Sequence, residues 1–327
     1  MRAVEAREAG GPEVLALVDV PDPTPGPGDV LVRTSAAGVN FIDTYRRAGV
    51  YPMPFPHIVG SEGAGVVQAV GEHVSGIAPG DRVAWSDAPG SYAELVAVPA
   101  ERALLVPAGV DPDVAAALPL QGMTAHYLTH STYTVQPGDV VLLHAGAGGV
   151  GLLLTQLATA RGGRVITTVS TDEKEELSRA AGAVEVIRYD RLDNLTEQLP
   201  PLVRKAAGGG VSVVYDGVGR ATFDASLACL RRRGTLVLFG GSSGQVPPFD
   251  LQRLSAGGSL YVTRPTLGDY TATTQELRSR AGDLFAAVLA GTLNVRIGAR
   301  FPLASVATAH RELESRATTG KVLLITE

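Results

Sequence analysis

Residues 144–151 read HAGAGGVG, four glycines in eight positions, after the apolar run VVLLH and before the helix-compatible stretch GLLLTQLATARG. Glycine loses more backbone freedom on folding than any other residue, so a cluster at a strand-to-helix junction marks a tight turn or a backbone that something approaches closely. Gly146, Gly148 and Gly151 satisfy G-x-G-x-x-G. The first permits the turn, the second lets a pyrophosphate reach the main chain, and the third allows close packing of helix on strand. With Ala147, Gly149 and Val150 completing the turn, the free amides at the helix start are placed to hold phosphates. A dinucleotide is the expected ligand.

Reading outward, the chain alternates strand and helix candidates. Strands fit 140–144, 164–169, 184–187, 211–215, 235–239 and 259–263, separated by amphipathic segments such as DEKEELSRAAG and ATFDASLACLRRRG. That is the rhythm of a parallel sheet wrapped by helices, and six strands match a full dinucleotide-binding fold. Residues 1–118 differ: VLALVDV, DVLVRTSAAG, GAGVVQAVG, DRVAWS and SYAELVAV are short strands between Gly, Pro and Asp clusters, which suggests a compact antiparallel barrel. The Pro-rich PDPTPGPGD reads as a loop between two of them. The expected division is 1–118, a dinucleotide-binding domain over 119–263, and 264–327 returning to the first domain.

Composition narrows the classes. With 28 Lys plus Arg against 33 Asp plus Glu the formal charge is -5, which provides no basic footprint for nucleic acid or anionic lipid. Cys229 is the lone cysteine, so neither an intramolecular disulfide nor a multi-thiolate zinc site exists, and it reads as a small buried hydrophobe. The first residues carry no apolar signal segment and no window reaches the length of a membrane span, so a cytoplasmic protein is expected.

Cofactor type depends on the end of the second strand of the parallel sheet. An Asp or Glu there would bind the ribose hydroxyls of NAD and repel an added phosphate. The strand ends instead in Val169 and Ser170, and Lys174 follows within one turn of a helix capped by Ser170 or Thr171, where an ammonium group neutralises a 2′-phosphate. NADPH is favoured; Asp172 and Glu175 on the same turn keep NADH open.

Across essentially the whole chain the stretches GGPEVL, GVNFIDTYRRAGVYP, GSEGAGVV, GDRV, QGMTAHYL, HAGAGGVG, VVYDGVGR, FGGSSG, GSLYVTRPTL and LESRATTGK resemble the zinc-independent quinone oxidoreductases, the zeta-crystallin-like group of the medium-chain dehydrogenase/reductase superfamily. The resemblance implies an α/β protein in which a Rossmann doubly wound parallel sheet is joined to a GroES-like β-barrel catalytic domain built from both chain ends, and a homodimer paired through edge strands of the Rossmann sheets. Zinc enzymes of that superfamily carry Cys where this sequence has Asn40 and His where it has Ser61, so the ligands for a catalytic zinc are missing and Glu62 alone cannot replace them. His57, His73, His126, His130, His144 and His310 show no metal-ligand spacing and are expected to be surface or core histidines.

The same resemblance assigns roles residue by residue. Asn40, Phe41 and Tyr45 of NFIDTY would lie near the nicotinamide, Asn40 and Tyr45 orienting the ring or the acceptor through amide and phenol groups, and Tyr51 would close the mouth of the cleft. Gln121 and Thr124 fall where relatives contact cofactor or substrate. Ser170, Lys174 and Tyr189 would surround the adenosine phosphate. Val218, Phe239, Gly240, Ser242 and Ser243 would border ribose and nicotinamide, and Arg264, Thr266 and Arg316 would complete the cofactor surround. Without a Lewis acid the acceptor must be activated already, as quinones and alkenes conjugated to a carbonyl are, so metal-free hydride transfer from NADPH to a quinone is the expected reaction. Reduction of enones or enals is the alternative within enzymes. A crystallin-like or RNA-binding role, known among relatives, is the alternative outside them.

Overall fold

Six parallel strands carry the glycine turn. In the computed structural model, which describes residues 1–326, they lie in the order Glu185–Arg188, Arg164–Val169, Val140–His144, Val211–Asp216, Leu230–Leu238, Tyr261–Thr263. This is the Rossmann order, and it reverses between Val140–His144 and Val211–Asp216, which opens a crevice at the carboxyl ends of the strands. The strands are Val-, Leu- and Ile-rich because helices cover both faces; every residue of VSVVYD (211–216) is buried. Leu142, Ile166, Val214 and Leu236 from four strands pack with Leu199, Val203 and Phe223 from the helices. Cys229 belongs to the same cluster, and burial pushes its thiol up to about 12, so it packs as a hydrophobe and is not a thiolate at neutral pH.

One expectation fails here. The amphipathic segment ATFDASLACLRRRG, expected to lie between strands with the next one at 235–239, is helical only over Phe223–Cys229, and Leu230 already begins the fifth strand. Pairing slips between Val211↔Leu230 and Val213↔Thr235, and Arg233 adopts φ 57. The result is a bulge on which Arg231, Arg232 and Arg233 are exposed, and an exposed arginine run carries no periodicity that separates bulge from helix. The last strand likewise starts at Tyr261 rather than 259, because Ser259 sits at φ 58.

Two compact units divide the chain. The parallel sheet lies in residues Thr124–Tyr270, and the other unit combines Met1–Met123 with residues from Thr271 onward. Its larger sheet has seven strands, ordered Ile297–Pro302, Lys321–Ile325, Asp29–Val39, Glu62–Val70, Arg82–Trp85, Leu104–Leu105, with Leu95–Pro99 pairing Asp29–Val39. The final strand runs antiparallel to Asp29–Val39, with Val322 opposite Val39. That register sets Lys321 beside Asn40. Residues 21–26, within the Pro-rich stretch, join two strands of this unit without regular structure.

Candidate functional site

In the parallel-sheet unit, the predicted cofactor residues gather at one edge. The strand Val140–His144 leads into Ala145, which takes φ 56, and Gly146 donates its N–H to Thr168 O at 3.1 Å. Gly148 then opens the helix Gly149–Ala160 with φ -74 and ψ 170, no side chain caps that helix, and its first turn holds no acid. The first N–H groups of an α-helix have no partner inside it, so an uncapped start free of negative charge favours an anion.

The three glycines serve different needs. A Cβ on Gly146 would lie 2.5 Å from Thr167 Cβ and one on Gly151 would run into the carbonyl of Ala145, so packing alone demands both. A Cβ on Gly148 would meet only Ala145 O, at 3.3 Å. That contact is tight but well short of the clashes at Gly146 and Gly151, so packing alone demands glycine less strictly here.

The neighbouring strand ends supply the other predicted residues. Ser170 follows Val169, and Thr171 caps the helix Asp172–Ala180 by accepting the N–H of Lys174 at 3.2 Å. Tyr189 follows the strand Glu185–Arg188 and is half-buried. Asp216 ends the fourth strand fully buried and accepts the N–H groups of Val218 and Gly219 at 2.8 and 2.9 Å, which shapes the turn carrying Val218. The stretch from Phe239 to Gly244 locks onto that turn: Ser242 N donates to Gly217 O at 3.2 Å and Ser243 N to Val218 O at 2.8 Å. The Ser243 hydroxyl donates to Val218 O at 2.7 Å and accepts from Ala221 N at 3.0 Å, so it is committed to positioning the loop. Gly240 is required because a Cβ would lie 2.6 Å from Gly217 O. Arg264 and Thr266 follow the last strand and are exposed.

Beneath this edge runs a buried polar chain. The Ser226 hydroxyl donates to Asp216 Oδ2 at 2.8 Å, so its oxygen accepts from His144 Nε2 at 2.9 Å, and His144 Nδ1 lies 2.9 Å from the Thr168 hydroxyl. Burial holds the His144 pKa below the usual imidazole value, which favours the neutral ring. The chain ties the strand before the glycine turn to the acid that shapes the 217–222 turn, a link between residues far apart in sequence that no local pattern signals.

The other unit holds Asn40, Phe41, Tyr45, Gln121 and Arg316. Asn40 begins the helix Phe41–Arg47, and its N–H donates to Asp43 Oδ2 at 3.0 Å. Its side-chain amide is consumed inside the protein: Nδ2 donates to Glu62 Oε2 at 2.7 Å and to Gly38 O at 3.2 Å, and Oδ1 accepts from Lys321 Nζ at 2.8 Å. Lys321 also pairs with Glu62 Oε2, and Glu62 Oε1 accepts from Leu120 N at 2.7 Å. The side chains of Lys321 and Glu62 are 1% and 0% exposed, so a buried ammonium balances the carboxylate beside the two positions where zinc relatives carry ligands. Ser61 is equally committed, donating to Asp43 Oδ1 at 2.9 Å and accepting from Arg46 at 2.6 Å. Tyr45 is half-buried, with Phe41 and Tyr51 ring centroids at 6.1 and 5.8 Å. Gln121 is half-buried on the helix Pro119–Tyr127, which also carries the buried Thr124; Arg316 is exposed with φ 61. The contribution of Lys321 was missed, although a charged residue heading the apolar strand KVLLI was a visible signal.

A second buried network holds the same helix from below. Arg47 donates to His310 Nδ1 at 2.9 Å and to Glu314 at 2.6 Å, His310 Nε2 lies 3.4 Å from Tyr92 OH, and Tyr92 donates to Asp43 Oδ2 at 2.9 Å. Burial, with the Arg47 charge beside it, pushes the His310 imidazole down to about 3. Below an unfolded-state pKa near 6.5 the unfolded chain takes up this proton and the folded chain does not, so stability is complete above that pH and falls as pH drops toward the folded value. Denaturant titration of wild type and His310→Gln, whose carbonyl still accepts from Arg47, is expected to show wild type losing about 2 kcal/mol more between pH 7 and pH 5. Equal losses would remove His310 as the titrating group.

Among the described residues no group of three or more His, Cys, Asp or Glu side chains is arranged to hold a metal ion. Comparison with known proteins gives the class. The profile described as alcohol dehydrogenase GroES-like domain matches residues 26–108, and the one described as zinc-binding dehydrogenase matches 149–281. A quinone oxidoreductase of Pseudomonas aeruginosa is 46% identical over 97% of both chains. A 2-haloacrylate reductase of a Burkholderia species is 41% identical over 99% of this chain and 98% of its own. A mycobacterial protein solved in complex with NADPH is 52% identical, with a TM-score of 0.97 and complete coverage of both chains. The chain belongs to the quinone oxidoreductase family of the medium-chain dehydrogenases/reductases.

Proposed function

We propose that the chain is an NADPH-dependent quinone oxidoreductase that works without a metal. The observation that carries the reading is the uncapped helix start at Gly148, with no acid in its first turn and only the Ala145 carbonyl near an added Cβ. Bound NADPH supplies the hydride. The residues of the parallel-sheet unit hold and orient it: the amides of Gly148, Gly149 and Val150 with Gly146 and Ala147 at the pyrophosphate, Ser170, Lys174 and Tyr189 at the adenosine end, and Val218, Phe239, Gly240, Ser242, Ser243, Arg264 and Thr266 toward ribose and nicotinamide. Thr124 belongs to the same unit. In the other unit, Phe41, Tyr45, Gln121 and Arg316 are the candidate residues, Tyr45 as the donor to an acceptor oxygen. Asn40 acts by positioning, since its amide is tied to Glu62, Gly38 and Lys321.

Metal independence is supported by the side chains present: an amide and a hydroxyl at Asn40 and Ser61, both engaged in the scaffold, and a lysine ammonium that already balances Glu62. The relative named 2-haloacrylate reductase supports a second reading, reduction of alkenes conjugated to a carbonyl or carboxyl group. Initial rates of NADPH oxidation on a simple quinone and on an enone separate the two. The quinone is expected to turn over faster by at least tenfold; a reversed ratio favours the alkene reductase. A homodimer fits the open edge strand Tyr261–Thr263, on which Tyr261 is 61% exposed, and no helix among the described residues is long and apolar enough to cross a membrane. A cytoplasmic site of action accords with a single buried cysteine, and the net charge of -5 argues against nucleic acid as the main partner.

A further inference from the structure

Two strand ends of the parallel sheet meet in a cluster of charges that the reading above does not use. Val169 lies opposite Arg188 in the pairing of Arg164–Val169 with Glu185–Arg188, so Arg188 is delivered to the point where Ser170 turns into the helix Asp172–Ala180. Its side chain is 10% exposed. Nε and one terminal nitrogen grip Asp190 with two parallel bonds of 2.8 Å, and that nitrogen also donates to the main-chain carbonyl of Ser170 at 3.2 Å. The other terminal nitrogen donates to Asp172, which takes a second bond from Arg191 at 3.2 Å.

The two acids are not equivalent. Asp190 belongs to the short turn Tyr189–Arg191 and holds Arg188 from the side, as a bidentate pair does when orientation matters. Asp172 is the first residue of its helix and 81% exposed, so its bond to Arg188 is a solvent-screened pair that exchanges at little cost. At this end of the second strand a dinucleotide presents its adenosine ribose, where a carboxylate would accept the hydroxyls of NADH and an arginine would meet the phosphate of NADPH. Asp172 is drawn off by two guanidinium groups, and Arg188 is held by Asp190 and the Ser170 carbonyl at that same strand end.

We propose that Arg188 is a specificity-determining residue for the 2′-phosphate: Asp190 and the Ser170 carbonyl fix the guanidinium, the phosphate displaces Asp172 from its remaining edge, and Arg191 retains the displaced carboxylate. The proposal rests on the NADPH reading and adds a residue to the set Ser170, Lys174 and Tyr189. Arginine suits the role because its planar fork serves Asp190 and a phosphate at once, which a lysine ammonium cannot do with the same geometry.

Isothermal titration of the full chain with NADPH and with NADH tests it, in wild type, Arg188→Gln, Arg188→Lys and Asp172→Asn. Arg188→Gln is expected to weaken NADPH at least tenfold while NADH binds within twofold of wild type, the unchanged NADH affinity showing that the site is folded. Arg188→Lys should fall between the two, and Asp172→Asn should tighten NADPH and leave NADH alone. A wild-type preference for NADPH that survives in Arg188→Gln overturns the proposal and leaves the cofactor reading standing, and so does Asp172→Asn weakening NADH, which would make Asp172 a ribose ligand. A wild type that binds NADPH no tighter than NADH overturns the cofactor reading and this proposal with it.

Discussion

Replacing Gly148 with alanine is expected to leave the fold standing and to weaken NADPH binding about a hundredfold, roughly 2.7 kcal/mol. The reasoning turns on what each glycine faces. Gly148 has φ -74, a value any residue adopts, and an added Cβ would touch only Ala145 O at 3.3 Å. The thermal midpoint should therefore stay within about 3 °C of wild type, since helix N-cap glycine and alanine differ by no more than about 1 kcal/mol. A pyrophosphate seated on the amides of Gly149 and Val150 would lose close approach and at least one charge-assisted hydrogen bond. Gly151→Ala is the contrasting control. Its Cβ would collide with the carbonyl of Ala145, so stability and affinity should fall together. Scanning calorimetry and NADPH fluorescence titration read both quantities. An unaltered affinity in Gly148→Ala would mean that no ligand approaches the turn.

Lys321→Met is expected to cost about 3–5 kcal/mol of stability, the penalty for leaving a buried carboxylate without its partner. Glu62 is 0% exposed and would keep only Asn40 Nδ2 and Leu120 N, at 2.7 Å each. The double variant Glu62→Gln/Lys321→Met removes the charge as well as its partner and should recover most of the loss, because the neutral amide replaces the carboxylate without a desolvated charge. Denaturant unfolding of the set measures this. A single variant as stable as wild type, or a double variant no better than the single, would show that the ion pair does not hold Asn40 and the strand Lys321–Ile325 together. Gly38 fits the same picture: a Cβ there would occupy the space taken by the Glu62 and Lys321 side chains, which explains a glycine inside the strand Asp29–Val39.

Much of the parallel sheet was legible because its strands are short apolar runs punctuated by Gly and Asp, and because the glycine turn has a strand before it and a helix after it. Signals of that kind are local. The bulge at 231–234 was not legible, since a positive φ at Arg233 leaves no mark on a run of exposed arginines. Nor was the commitment of Asn40. Its partners come from residues 62 and 321, and only the pairing of Val322 with Val39 brings them to one place. Arg188 was passed over for the same reason: its worth lies in which strand end it shares with Ser170, a matter of register between strands. The buried ion pair of Lys321 with Glu62 was half legible. The missing Cys and His were visible in sequence, whereas the lysine that supplies the balancing charge is near the far end of the chain.

The most direct test is stopped-flow oxidation of NADPH by a simple quinone, with protein dialysed exhaustively against a zinc chelator and assayed in its presence. The predicted result is stoichiometric NADPH oxidation at the rate of the undialysed protein, together with the loss of affinity in Gly148→Ala. Oxidation that disappears on chelation and returns with added zinc, or a chain that binds neither NADPH nor NADH, would contradict it.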